Sequence, residues 1–303
     1  MFIGTEKINI TDNLDFFARQ VVEGFLTGLH KSPYHGFSVE FAEHRTYNQG
    51  DPVKNVDWKL FARSDKLFIK KYEEETNLRC HLLLDISTSM LYPQNSSFSK
   101  LSFSVYATAC LIYLLQKQRD AFGLTYFTDK IDFFSKTKSN KSHYNRLLVE
   151  LDKLLKTSSK TKNKTNFIKI IPELVEKIHQ RSLIIIFSDM MSFNHEEEKI
   201  FETLQYLRYK KNEVVLFHVR DSKTEQLFEF PNQPYTFIDL ENDTEIKLNP
   251  MNFKEVYTKM YMDFQKKMET KCNQYKIDYI PTSIEDGFSR VLLSYLTKRS
   301  KLF

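Results

Sequence analysis

Short apolar runs separated by amphipathic helical stretches, from about residue 80 onward, constrain the fold of this chain more than any other feature. Each run is too short to be a helix and is rich in Val, Ile, Leu and Phe, which is typical of strands buried on both faces. Strands that alternate with helices predict a doubly wound α/β fold with a mostly parallel, Rossmann-like sheet. The predicted strands lie at residues 81–85, 122–127, 182–189, 214–219 and 276–280.

The segments between these strands predict two prominent helices and one insert. Residues 100–117 carry apolar side chains on nearly every face, which predicts a central helix packed beside the sheet. A second helix is predicted behind Asn252, with Glu255 in the capping-box position and an apolar stripe that we interpret as core. The segment 227–248 interrupts the alternation and predicts a β-hairpin insert.

Composition excludes some classes of protein. The 303 residues are 41% hydrophobic, which is enough for one large core and excludes disorder throughout. The net charge is only +5 and the charges are spread along the chain, so nucleic-acid binding is not expected. Cys80, Cys110 and Cys272 have no paired spacing and are expected to be buried free thiols in a reducing compartment.

Localisation is predicted from two missing signals. The N-terminus has no basic stretch followed by an apolar run and a small-residue cleavage site, so a secretory leader is not expected. No window reaches the roughly 18 uninterrupted apolar residues that a membrane helix needs. We therefore expect a cytoplasmic protein that does not itself span a membrane.

A carboxylate and two hydroxyl groups follow the first predicted strand, at Asp85, Ser87 and Ser89. In open α/β sheets, ligands bind at the carboxyl ends of the strands. Mg²⁺ binds oxygen ligands in near-octahedral geometry, and these side chains can supply three of them. The spacing alone is weak, because Asp and Ser are common in such loops and Asp85 could instead cap the following segment.

Two further oxygen donors are expected at the same edge of the sheet. Thr165 comes just before a predicted helix at residues 167–179, and Asp189 ends the predicted strand 182–189. Both loops open on the carboxyl edge. The sequence therefore predicts a site for Mg²⁺, or for Mn²⁺ or Ca²⁺, formed by Asp85, Ser87, Ser89, Thr165 and Asp189.

This set resembles the metal-ion-dependent adhesion site of von Willebrand factor A domains, position by position. The resemblance implies that the Ser and Thr hydroxyls bind the cation directly or through water. It also implies that the two carboxylates either coordinate the cation directly or contact the groups that coordinate it. It also implies an open coordination position that an acidic side chain of a partner fills. The family usually has glycines just before this Thr, where this chain has Lys162, Asn163 and Lys164, so the conformation of that loop stays open.

A second signature precedes the predicted sheet. The residues His35-Gly-Phe-Ser-Val-Glu-Phe, Gly50-Asp-Pro and Val56-Asp-Trp run toward Leu82-Leu-Leu-Asp-Ile-Ser. This order resembles the domain of unknown function 58 family, bacterial and archaeal proteins with a von Willebrand factor A-like domain. The resemblance covers most of the chain and implies a cation-dependent adaptor that works with a MoxR-type AAA ATPase.

Opposite charges alternate around the single Trp of the chain, which suits a charge-assisted network. We interpret this network as structural rather than as a binding face, since partly buried ion pairs fix geometry. It predicts two parts: residues 1–79 as a signature segment packed on the main domain, and residues 80–303 as the A-like domain. The network residues are Arg45, Asp51, Asp57, Trp58 and Arg63.

The expected activity is binding rather than catalysis. The chain has no Gly-Lys-Ser/Thr phosphate loop, no Gly-x-Ser-x-Gly and no His-Glu-x-x-His motif. The alternative is a Mg²⁺-dependent phosphatase or phosphotransferase that uses Asp85 as the nucleophile. Haloacid-dehalogenase-like enzymes normally carry a second Asp two residues later, where this chain has Ser87.

Overall fold

The computed structural model describes residues 13–30, 44–46, 63, 68–70, 78–94, 98–156, 165–191, 197–240 and 244–302. The chain divides into two compact units, Met1–Phe25 with Leu78–Phe303, and Leu26–Asn77. The packing of residues 1–79 on the sheet domain stays a prediction.

In the smaller unit, strands β1 (His44–Thr46) and β2 (Phe68–Lys70) form an antiparallel pair. Arg45 of the predicted charge network lies in β1, opposite Ile69, and Arg63 is exposed. The network therefore stays a prediction, because its three other members lie outside the described residues: Asp51, Asp57 and Trp58.

A six-stranded sheet forms the centre of the larger unit, in the order β10-β7-β6-β3-β4-β5. All neighbouring strands are parallel except β4 and β5. The predicted mostly parallel sheet is therefore confirmed. The strands are β3 (Arg79–Asp85), β4 (Ala121–Phe127), β5 (Ile131–Phe134), β6 (Leu183–Ser188), β7 (Glu213–Arg220) and β10 (Asp278–Ser283).

The predicted central helix is confirmed, with its bounds, as α2. Its first turn is capped by Ser99, whose side chain accepts the backbone N–H of Ser102 at 3.1 Å. Among the described residues, no helix is both long and apolar enough to cross a membrane. The helices are α1 (Leu14–His30), α2 (Lys100–Lys117), α3 (Lys141–Lys156), α4 (Phe167–Lys177), α5 (Glu197–Tyr209), α6 (Lys254–Gln274) and α7 (Ser289–Ser300).

Helices cover both faces of the sheet. On one face, Leu83, Ile184 and Ile186 form a core with α4, α5 and the C-terminal part of α6. Successive side chains of a strand point to opposite faces, so the fully buried Leu82 and Leu84 face the other layer. That layer contains α2, which packs against α3 and α7. This arrangement is a doubly wound α/β architecture.

The predicted hairpin insert is confirmed as strands β8 (Tyr235–Ile238) and β9 (Glu245–Leu248), which pair antiparallel. A cluster of aromatic rings attaches it to α6. The ring centroids of Phe228 and Tyr257 lie 4.3 Å apart, and those of Phe228 and Phe237 lie 5.7 Å apart.

The start of α6 differs from the prediction. The helix begins behind Phe253, which makes no side-chain cap, and the predicted capping box of Asn252 and Glu255 is wrong. Its apolar stripe is only partly core, since Met268 is buried while Val256 and Met260 are more than half exposed. Helical periodicity shows that these residues share a face, but not whether another element covers that face.

Removing a large side chain from the sheet core tests the packing. Phe187 is fully buried and stacks on Phe217 with ring centroids 4.9 Å apart. Phe187→Ala should lower the free energy of unfolding by about 3–5 kcal/mol, because it leaves a cavity. Phe16→Ala is the matched control: Phe16 is 47% exposed, and its loss should cost below about 1 kcal/mol. Urea denaturation measures both, and equal losses would contradict this account of the core.

Candidate metal centre

The predicted cation ligands lie where the strand order reverses. From β3 the chain passes through α2 to β4 on one side, and it later returns as β6 on the other side of β3. Such a reversal opens a crevice at the carboxyl ends of the two central strands, which is where ligands bind in open α/β sheets. Asp85 ends β3, and Asp189 directly follows β6.

The carboxylate of Asp85 is buried, and both of its oxygens accept hydrogen bonds. Its Oδ1 accepts the hydroxyl of Thr165 at 2.7 Å and the backbone N–H of Ser87 at 3.0 Å. Its Oδ2 accepts the hydroxyl of Ser188, from the end of β6, at 2.8 Å. Asp85 therefore joins β3, β6 and the segment before α4.

The two predicted serine ligands lie side by side. The hydroxyl oxygens of Ser87 and Ser89 are 3.0 Å apart, and both residues are buried. Ser89 lies in a 3₁₀ turn, Thr88–Leu91, that follows Ser87 directly. The turn brings two hydroxyl groups to the same side of the loop, next to Asp85.

Thr165 reaches the site although its sequence context differs from the family pattern. The backbone N–H of the next residue, Asn166, donates to the carbonyl of Thr128 at 3.3 Å. The side chain of Asn166 caps α4 by accepting the N–H of Lys169 at 3.1 Å. These two contacts hold Thr165 at the carboxyl edge, while the preceding residues 157–164 lie outside the described residues.

Asp189 is paired with a lysine that the sequence analysis did not identify. Its Oδ2 accepts the ammonium group of Lys100, the first residue of α2, at 2.7 Å. Its Oδ1 accepts the backbone N–H of Met191 at 3.2 Å. Both oxygens of Asp189 are therefore engaged.

The same ammonium group has a second carboxylate partner. Lys100 Nζ lies 2.5 Å from Oε1 of Glu225, in the π-helical turn Ser222–Gln226 that follows β7. The other carboxylate oxygen of Glu225 accepts the N–H of Asp221 at 2.8 Å. Lys100, fully buried, therefore links α2 to the ends of β6 and β7.

Burial and like charge disfavour ionised carboxylates here. Burial raises the pKa of Asp85 above its ordinary value, and the charge of Asp189 raises it further, against the hydrogen bonds from Thr165 and Ser188. Burial also raises the pKa of Glu225, and Lys100 only partly opposes it. Burial alone would lower the pKa of Lys100, but Asp189 and Glu225 outweigh it and raise that pKa.

Among the described residues, carboxylates outnumber cationic side chains at this edge of the sheet. The ammonium group of Lys100 is paired with Asp189 and Glu225, whereas the hydrogen bonds to Asp85 come from Ser87, Thr165 and Ser188. The nearby Arg220 is also positively charged and donates to the neutral Gln265 at 2.7 Å. This excess of carboxylates favours a bound cation.

The structure brings Asp85, Ser87, Ser89 and Thr165 together. Asp189 is close enough for its charge to raise the pKa of Asp85. Among the described residues, no group of three or more His, Cys, Asp or Glu side chains could hold a metal ion, so hydroxyl oxygens would have to complete a site. Sequence reasoning missed Lys100, Ser188 and Glu225. Ser188 was within the predicted strand, whereas no pattern in the sequence marks Lys100 and Glu225 as neighbours.

The raised pKa of Asp85 predicts how stability responds to removal of its charge. Asp85 favours the folded state most below the ordinary pKa of 3.8, and this contribution is lost as the pH rises through the raised folded-state pKa. Asp85→Asn should therefore raise the melting temperature of the metal-free protein at pH 7 by about 2–4 °C, the shift that ~1 kcal/mol produces in a domain of this size. Near pH 4 the two proteins should differ less.

Thermal denaturation in EDTA at both pH values measures this effect. Asp263→Asn, which removes an exposed carboxylate, is the matched control and should change little at either pH. A lower melting temperature for Asp85→Asn at pH 7 would contradict the assigned cost of the buried charge.

Curated relatives and solved structures share parts of this chain. Uncharacterized proteins of Mycobacterium bovis and Mycobacterium tuberculosis are each 28% identical over 101 residues, 33% of this chain and 32% of theirs. The chain thus spans about a third of the length of these curated relatives.

Two solved structures are similar at a TM-score of 0.46 and 15% identity: a conserved hypothetical protein, BatB, from Bacteroides thetaiotaomicron, and an aerotolerance-related membrane protein from Bacteroides fragilis. They cover 74% and 73% of this chain, and 99% of each of those chains is covered. At this similarity the two structures carry no functional conclusion.

A family model described as "Protein of unknown function DUF58" matches residues 43–269, which is well over half of the chain. This match includes strands β3 to β7, all five candidate cation ligands and the buried Lys100 with both of its carboxylate partners. The chain belongs to the DUF58 family.

Proposed function

We propose that this chain is a non-catalytic, divalent-cation-dependent protein–protein interaction module with a von Willebrand factor A-like domain. The observation that carries the proposal is the convergence of oxygen donors from three separate loops on one buried carboxylate. Asp85 accepts a hydrogen bond from Thr165, and the paired hydroxyls of Ser87 and Ser89 follow it. The loops meet at the edge of the sheet where ligands bind in this architecture.

The chemistry of the donors fits Mg²⁺. All of them are hard oxygen ligands, which Mg²⁺ prefers. The hydroxyl oxygens of Ser87 and Ser89 are hydrogen-bonded at 3.0 Å, so two neutral oxygen donors lie next to each other in the loop after Asp85. Among the described residues, the carboxylates at this edge outnumber the cationic side chains, which favours a bound cation.

Each residue has a distinct role in this proposal. Asp85, Ser87, Ser89 and Thr165 would hold the cation. Asp189 would not bind it directly, because one of its oxygens is paired with the ammonium group of Lys100. The bound cation would supply an electron-accepting position for a carboxylate of the partner. The hydrogen bonds of Thr165 and Ser188 hold the Asp85 carboxylate in one orientation.

The contacts of Asp85 support binding over phosphoryl transfer. Its hydrogen bonds come from Ser87, Thr165 and Ser188, which orient the carboxylate, and no acidic or basic side chain is among them. Ser87 stands two residues after Asp85, and its hydroxyl contacts Ser89 rather than an acid or base. These contacts suit a ligand held in place.

The proposed partner is a MoxR-type AAA ATPase. The resemblance to the domain of unknown function 58 family implies such a partner, and an acidic side chain of the ATPase would complete the coordination of the cation. The chain would then act as an adaptor whose contact with the ATPase depends on the cation.

Cation binding is the first test. Wild-type protein should bind Mg²⁺ and Mn²⁺ saturably in calorimetry, and Asp85→Asn should abolish binding. Thr165→Val, which removes the hydroxyl at similar volume, should weaken binding by about 10–100-fold, the usual effect of losing a residue that orients a ligand. Thr165→Ser keeps the hydroxyl and serves as the matched control, with affinity within about threefold of wild type.

The outcome that would end the proposal is a folded wild-type protein that binds neither cation. Equal affinity in Thr165→Val and Thr165→Ser would remove Thr165 from the site but leave Asp85 and the two serines in place.

Partner binding is the second test. A purified MoxR-type AAA ATPase should be retained by the immobilised wild-type chain in Mg²⁺ and released by EDTA, because the shared cation bridges the two proteins. Asp85→Asn should retain none, and the surface variant Asp263→Asn should retain as much as wild type. Retention that persists in EDTA would show that the contact does not use the cation.

A further inference from the structure

Lys100 is in an unfavourable position for a lysine. It is fully buried, and transfer of an ammonium group from water to a protein interior costs several kcal/mol before pairing. It is also the first residue of α2, where the helix dipole disfavours positive charge. Neither solubility nor helix stability explains a buried lysine at this position. We therefore attribute the presence of Lys100 to its two carboxylate partners.

The first partner, Asp189, is tied to an ammonium group through one oxygen and to the backbone through the other. Oδ2 accepts Lys100 at 2.7 Å and Oδ1 accepts the backbone N–H of Met191 at 3.2 Å. Asp85, in contrast, accepts hydrogen bonds from Ser87, Thr165 and Ser188, which are neutral donors. Among the described residues, Asp189 is paired with a cationic side chain and Asp85 is not.

We infer that Lys100 is a positioning residue that keeps Asp189 out of direct coordination, so that Asp85 is the single carboxylate ligand of the cation. This inference rests on the proposed function. With one carboxylate and neutral hydroxyls as direct ligands, the cation together with these ligands keeps one positive charge toward a partner's acidic side chain. If Asp189 also bound directly, the two carboxylates would neutralise a divalent cation, and its attraction for the partner would fall.

Glu225 sets how strongly Lys100 holds Asp189. The ammonium group is shared between the two carboxylates, at 2.7 Å from Asp189 and 2.5 Å from Glu225. Glu225 is itself fixed by the N–H of Asp221 and by the hydroxyl of Tyr257, which donates to its backbone carbonyl at 2.8 Å. Without the charge of Glu225, the ammonium group of Lys100 would pair with Asp189 alone and hold it more strongly.

Two substitutions should change cation affinity in opposite directions. Lys100→Met frees Asp189 and should tighten Mg²⁺ binding roughly tenfold, since an opposite charge at contact distance changes a carboxylate's proton affinity by about one to three orders of magnitude. The gain for Ca²⁺ should be larger, because Ca²⁺ accepts more carboxylate oxygens in flexible geometry. Glu225→Gln should weaken Mg²⁺ binding several-fold and provides an answer even if Lys100→Met does not fold.

A double-mutant cycle separates action through Asp189 from a general change of charge. Calorimetric titrations with Mg²⁺ and Ca²⁺ alone would be made on wild type, Lys100→Met, Asp189→Asn and the double variant. We expect the gain from Lys100→Met to shrink to less than about twofold in the Asp189→Asn background. Lys223→Met removes a largely exposed lysine from the same π-helical turn and should leave both affinities unchanged.

The outcomes distinguish this inference from the proposed function. Cation binding by wild type, with the same gain from Lys100→Met in both backgrounds, would overturn the role of Lys100 and leave the proposed function in place. So would unchanged or tighter Mg²⁺ binding by Glu225→Gln. Absence of cation binding by folded wild type would overturn both.

Discussion

The buried carboxylate of Asp85 is the interaction on which the carboxyl edge of the sheet depends. A carboxylate removed from water is costly unless donors surround it, and here they come from its own loop, from the end of β6 and from the segment before α4. Because Thr165 is 80 residues from Asp85 in sequence, this contact fixes a long-range part of the fold. The geometry of the candidate site and the closure of this edge therefore have the same physical cause.

The strand order brings a second charged network to the same place. Lys100 begins the helix that follows β3, so the reversal at β3 brings it beside Asp189 at the end of β6. Glu225 comes from the turn after β7, the next strand along. Three loops that are distant in sequence thus meet because parallel strands end at one edge.

Local patterns were sufficient for most of the architecture. Short apolar runs in the sequence predicted the strands, and apolar side chains on nearly every face predicted α2. Both patterns arise because apolar residues are buried away from water. The convergence of Asp85, Ser87, Ser89 and Thr165 followed from the same topology. The pairing of Lys100 with Glu225 could not be predicted, since the two are 125 residues apart and no spacing in the sequence links them. The exposed stripe of α6 was mistaken for core because periodicity does not identify a partner.

Stability alone does not account for the pairing of Lys100. Buried ion pairs often contribute no more than well-packed apolar residues of similar volume, because desolvation offsets their attraction. Among the described residues, the carboxylates at this edge also outnumber the cationic side chains, and burial raises the pKa of both Asp85 and Glu225. A purely structural pair would be expected to neutralise its surroundings. Lys100 instead neutralises part of the charge of the described carboxylates, and the proposed cation would balance more of it.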